Sequence, residues 1–120
     1  MKATILSIGT ELAREEIVDT NAPWLAQRLT ALVFEVHEHA TVDDDATRVT
    51  AVLRRLGEHP QVVVATGGLG PTTDDVTVEA AATAAGVGIT RDETALEALR
   101  RRFLSTGRNP TEAAERQTQV

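Results

Sequence analysis

Short apolar runs alternate with amphipathic stretches along the chain, and the alternation predicts most of its elements. "ATILSI" (3–8) is continuously apolar but for Thr4 and Ser7 and stops at Gly9. Such a run suits a strand covered on both faces of a parallel sheet. From Asn21 the period lengthens, with Leu25, Leu29 and Leu32 at helical spacing, Asn21 as a candidate N-cap and Pro23 tolerated in the first turn. "FEVHEHATV" (34–42) then sets Phe34 and Val36 against Glu35, His37 and His39, a strand with one wetter face.

"DDDATRVTAVLRRLG" reads as an acidic cap, from Asp44 or Asp45, and a helix with Val49, Leu53 and Leu56 inward. Gly57 is placed to end it in a left-handed turn, with Pro60 beyond. "VVVAT" (62–66) is a third strand, and "VTVEAAATAAG" an alanine-rich helix closed by Gly86. Thr90 and Glu93 have capping-box spacing before a last helix with Leu96, Leu99 and Phe103 inward, broken by Gly107 and Pro110. Strands alternating with helices imply parallel pairing through right-handed crossovers and helices on both faces. The expectation is one α/β domain over 1–120.

Composition narrows the function. At 120 residues, 42% hydrophobic and 25% charged, the chain is ordinary for a globular protein. No apolar run approaches the roughly 18 residues of a membrane span, and the start reads as a strand, not a signal peptide. Without cysteine there can be neither disulfides nor thiolate metal sites, and a cytoplasmic location is the default. A net charge of -6 argues against nucleic-acid and anionic-membrane partners. The one basic cluster, Arg100 to Arg102, reads as a solvated helix face, and three aromatics are too few for base stacking. A small-molecule ligand is the expectation.

In doubly wound sheets ligands collect at the carboxyl ends of the strands. There the third strand runs into "GGLGPTTDD". Its glycines let backbone amides approach a ligand, the following helix offers its N-terminus, and Thr72 and Thr73 add hydroxyls. The loop lacks the Walker lysine and the dinucleotide glycine spacing, so a phosphate site and a tight structural turn both stand. Asp74 and Asp75 can favour the helix N-terminus. They can equally hold a divalent cation against phosphates. Asp43 to Asp45 follow the second strand, and Glu11 and Asp19 the first, so three acidic groups fall on one edge. His37 and His39 have a zinc-compatible spacing but no third ligand in view, so an exposed strand face is favoured. Trp24 reads as core filler. No Ser-His-Asp nucleophile is legible in this order.

"SIGTEL", "EIVDTNAPWLAQRL", "TVDDD" and "TGGLGPTTDDVTVEA" together resemble the amino-terminal domain of the CinA (competence/damage-inducible protein A) family, in the molybdopterin-binding superfamily of MoaB, MogA and MoeA, from Met1 to about Gln117. The resemblance implies a three-layer α/β/α, MogA-like domain with a mostly parallel sheet, and a nucleotide or pterin-type ligand. It implies metal-dependent ADP-ribose pyrophosphatase activity, often joined to a nicotinamide mononucleotide (NMN) deamidase domain, here a separate partner. Asp44 and Asp75 align with the functional carboxylates and would hold a divalent metal, Mg²⁺ or a transition metal such as Co²⁺; no haem, flavin or Fe–S cluster is expected. Thr66, Gly67, Gly68 and Gly70 would cradle phosphate, with Thr10, Glu11, Asp19, Thr20, Asn21, Thr72 and Asp74 completing the ligand-binding set. Val33 and Asp43 replace family glycines, and charged "AREE" replaces an apolar loop. Val120 falls near where the family's final strands begin, so the last strands are expected to be lacking and an open sheet edge to favour a homo-oligomer. Molybdopterin adenylyltransfer and a non-catalytic binding or assembly module are the alternatives.

Overall fold

The computed structural model describes residues 1–107, 111, 114–115 and 117–120, so Pro110 lies outside the described residues. In chain order the elements are β1 (Lys2–Ile8), α1 (Thr10–Ala13), α2 (Asn21–Ala31), β2 (Glu35–Val42), α3 (Ala46–Leu56), β3 (Val62–Thr66), α4 (Thr77–Ala85) and α5 (Glu93–Ser105). The sheet has the order β2-β1-β3 and both pairings are parallel. All three strands therefore end on one edge, as α/β crossovers require.

Two apolar layers sandwich the sheet. Ala3 and Ile5 of β1 join Ala22 and Leu29 of α2, with Phe34, Val36, Val62 and Val64 around them. On the other face Leu6 and Ile8 meet Val49 and Leu56 of α3 and Ala80 of α4. The period of two in β1 thus feeds both faces, and the three-layer α/β/α architecture follows. Thr4 and Ser7, the polar positions of β1, are fully buried but satisfied: Thr4 Oγ1 donates to Gln61 Oε1 at 2.6 Å, and Ser7 is bonded as described below.

Several local expectations need correction. Asn21 is the first residue of α2, not its cap. The Ala22 amide is instead accepted by Asp19 Oδ1 at 3.1 Å, because a shorter side chain three residues back reaches that orphan donor. Asp45, not Asp44, caps α3 by accepting from the Arg48 amide at 2.9 Å. Asp92 replaces Thr90 as the cap of α5, since Thr90 is tied by its backbone to Val120 at 2.7 and 2.8 Å. Gly57 follows α3 with φ of -74°, so the left-handed turn is not made there, whereas Gly86 (φ 70°) does close α4 so. Leu32 lies past the end of α2 and is exposed. Trp24 is 57% exposed, with the Arg28 guanidinium 5.1 Å above its ring, so it does not fill the core.

The two replaced glycines have different outcomes. Val33 adopts φ of 67° and completes a Schellman motif: its amide bonds Thr30 O at 3.0 Å and that of Phe34 bonds Leu29 O at 3.0 Å. Phe34 and Leu29, which pack together in the α2 layer, supply the motif's usual apolar contact. Asp43 has no positive φ, so it adds no strain. Its carboxylate takes two 2.8 Å bonds from Arg48, which hold it below the ordinary carboxylate value.

Candidate functional site

Where the strands end, three loops meet. The Gly9 amide bonds Val42 O at 2.9 Å and stitches the end of β1 to that of β2. One residue on, the Thr10 amide donates to Asp44 Oδ2 at 3.1 Å while the Asp44 amide donates to Thr10 Oγ1 at 3.3 Å. This reciprocal pair fixes Asp44 at the edge. The acidic run thereby divides its labour: Asp43 pairs with Arg48, Asp45 caps α3, and Asp44 is left for the mouth of the site.

The glycine loop is packed as tightly as its composition suggests. Gly67 (φ 91°) lies against β1, so that a Cβ there would come within 2.0 Å of Ile8 O. A Cβ on Gly68 (φ 65°) would stand 2.1 Å from Thr77 Oγ1. Thr77, at the start of α4 and nearly buried, donates its hydroxyl to Gly67 O at 2.8 Å and its amide to Gly68 O at 3.2 Å. Both loop carbonyls are thus turned toward the helix, and among the described residues no acceptor claims the amides of Gly68, Leu69 or Gly70. The loop is a structural turn and, by its free amides, an anion cradle beside the positive end of α4; the two sequence readings coincide.

Asp75 closes the loop. Its Oδ2 accepts from the Thr72 amide at 3.0 Å and the Thr72 hydroxyl at 2.7 Å, and it lies against Gly70, where an added Cβ would meet it at 2.6 Å. Asp74 and Thr73 are exposed beside it, and Thr66 ends β3 half-buried. Glu11 reaches back over Gly9, while Thr20 and Asn21 are exposed at the start of α2.

Asp19 is held apart from these residues, on the α2 side. Ser7 Oγ donates to Asp19 Oδ2 at 2.5 Å, and His39 Nε2 lies 3.0 Å from Ser7 Oγ and 3.4 Å from Asp19 Oδ2. Burial pushes the Asp19 carboxyl up, but the Ser7 hydroxyl, the Ala22 amide, the His39 ring and the Asn21 amide outweigh it and hold the group below 3.8. Ser7, His39 and Thr77 had no functional reading in the sequence. The available signals were a polar residue within an apolar strand and a threonine opening a helix behind glycines. His37 turns its Nδ1 to Ala3 O at 3.1 Å, at the point where the β1–β2 register shifts.

Among the described residues no group of three or more His, Asp or Glu is arranged to hold a metal ion. The donor set at the edge, two separately tethered aspartates beside free amides, fits a hard cation that completes its shell with ligand oxygens and water. A cavity of about 200 Å³ lined by Lys2, Glu38, Arg55 and Gln61 lies at the opposite edge and shares no residue with the glycine loop. No helix among the described residues is long and apolar enough to cross a membrane.

Comparison with known proteins agrees with this architecture. The family model described as "probable molybdopterin binding domain" matches residues 4–118. A CinA-like protein of Geobacter sulfurreducens is 48% identical over 117 residues, covering 98% of this chain and 28% of the relative. Among solved structures, the protein CinA from Thermoplasma acidophilum superposes with a TM-score of 0.90 at 30% identity, covering 99% of this chain and 69% of that one. The molybdopterin biosynthesis enzyme MoaB of Thermus thermophilus gives a TM-score of 0.63 at 25% identity, covering 94% and 69%. The chain spans a little over a quarter of the length of the curated relatives it matches.

Proposed function

Since the chain belongs to the family of probable molybdopterin binding domains, in its CinA-like branch, we propose that the carboxyl edge of its sheet binds a nucleotide pyrophosphate and hydrolyses it, ADP-ribose being the first candidate. The observation that carries this reading is the arrangement around the glycine loop. Free amides and the α4 N-terminus attract phosphate, and two carboxylates, each held by a threonine, flank them.

Carboxylates beside phosphate repel it unless a cation intervenes. Asp44 and Asp75 would hold that cation, Mg²⁺ or Co²⁺, which would supply charge neutralisation and water activation when bound. The chain's own residues do the positioning. The amides of Gly68, Leu69 and Gly70 would bind phosphate oxygens, and Thr72 and Thr73 would add hydroxyl donors at the rim. Thr10 keeps Asp44 from turning into solvent, so the geometry exists before the ligand arrives.

The test is release of AMP from ADP-ribose with and without Mg²⁺. Asp44→Asn and Asp75→Asn should each lower turnover on the order of 100-fold, the scale of losing one preorganised electrostatic group, while circular dichroism stays unchanged. Full turnover in either variant would sink the assignment. The likeness to MoaB favours a second reading, in which the same cradle takes the phosphate of a pterin-type ligand. Adenylylation of molybdopterin by the pure protein would select it. Tight nucleotide binding without turnover would select the non-catalytic module instead.

A further inference from the structure

Ser7, Asp19 and His39 form a hydrogen-bonded chain that the proposed chemistry does not use. Ser7 is fully buried on the α2 face of β1, opposite Thr41 of β2 and Thr66 of β3, so the chain lies just beneath the carboxyl edge. The Ser7 hydroxyl has one proton, and the Asp19 carboxylate, an acceptor only, takes it. The Ser7 oxygen is then an acceptor, so His39 Nε2 carries the hydrogen in the 3.0 Å contact. Polarity therefore runs from His39 on β2 through Ser7 on β1 to Asp19, and on to the Ala22 amide in α2. At the conventional cap position of α2 Thr20 makes no side-chain bond, so this chain is what anchors the first turn.

We infer that His39 is a positioning residue: through Ser7 it holds Asp19 against the Ala22 amide and so sets where Thr20 and Asn21 stand at the ligand edge. The functional half of this inference rests on the nucleotide reading above. The trio is not a nucleophilic triad, because one nitrogen, Nε2, faces both Ser7 and Asp19, and Ser7 is sealed from solvent. Nor does His39 act as core filler. Its side chain is 41% exposed beside an open groove of about 390 Å³ lined by Asp19, Pro23 and His37, so replacing it leaves no buried void.

The experiment is amide hydrogen exchange at Ala22 in the full chain, for the wild type, His39→Leu and His39→Gln. Val49, whose amide bonds Asp45 O in α3 on the opposite face, is the reference. His39→Leu should speed Ala22 exchange about tenfold, the scale of one hydrogen bond, with Val49 unchanged. His39→Gln, whose side-chain amide offers an N–H in the same place, should restore it to within about threefold of the wild type. Titration of ADP-ribose with Mg²⁺ should follow suit, about fivefold weaker for His39→Leu and near wild type for His39→Gln. Unchanged Ala22 exchange in His39→Leu would overturn the inference, as would equal acceleration at Ala22 and Val49, the mark of general destabilisation. If the wild type binds no nucleotide, the nucleotide reading and the functional half fall together, while exchange still decides the positioning.

Discussion

Replacing Val33 by glycine should stabilise this protein although it removes a side chain. Val33 sits at φ 67° in the Schellman turn that ends α2. For a residue with a Cβ the left-handed region costs about 1–2 kcal/mol, and a branched Cβ falls at the upper end. Glycine removes that cost but adds about 0.5–1 kcal/mol of chain entropy to the unfolded state. Lost packing is minor. Val33 is 87% exposed, so truncation forfeits only a few tenths of a kcal/mol of apolar burial.

The balance favours Val33→Gly by about 0.5–1 kcal/mol, or about 2–5 °C in Tm for a chain of this length. Val33→Asn should gain part of that, since asparagine tolerates the conformation, and Val33→Ala least. Urea and thermal unfolding of the four proteins under one buffer would give the order glycine, asparagine, alanine, valine. A glycine variant equal to or less stable than the wild type would refute the claim that the turn is strained. The turn precedes β2 and lies at the edge opposite the glycine loop, so ADP-ribose affinity should not move. Val33 departs from the family without touching the site.

At Gly67, alanine would place its Cβ 2.0 Å from Ile8 O at φ 91°, so Gly67→Ala should lose more than about 3 kcal/mol in urea unfolding or fail to fold. A shift below 1 kcal/mol would show that the loop can move off β1. Asp45→Ala should cost about 1 kcal/mol by removing the α3 cap, with nucleotide binding kept, whereas Asp44→Ala should lose binding at a smaller cost in stability. Titration calorimetry alongside urea unfolding separates the two, and the reverse pattern would exchange their roles. Asp19 is depressed when folded, so its contribution is present above pH 3.8 and is lost as pH falls through its lower folded value. Asp19→Asn should therefore flatten the acid limb of stability against pH below 3.8, and an unchanged slope there would remove Asp19 from the account.

The sequence disclosed whatever is local in period or steric demand. β3 runs from Val62 to Thr66 as its apolar run foretold, and Leu96, Leu99 and Phe103 mark the inner stripe of α5. Two glycines in succession after a strand implied a backbone that no other residue could follow, and Gly67 and Gly68 meet that description. What stayed hidden depends on partners distant in the chain. Asp43, Asp44 and Asp45 are chemically identical and adjacent, and nothing in their order tells which caps, which pairs and which faces the ligand. That choice is made by Arg48 three to five residues on and by Thr10, 34 residues back. Ser7 and His39 were invisible for the same reason, since a buried hydroxyl declares its partner only when Asp19, 12 residues later, folds back onto it. A fold written largely in local rules thus carries a site written in long-range pairs. That predicts where this chain tolerates change: apolar swaps within α3 or β3 should leave the edge intact, whereas moving a single aspartate by one position, as in exchanging Asp44 with an alanine at 46, should remove the site and keep the fold.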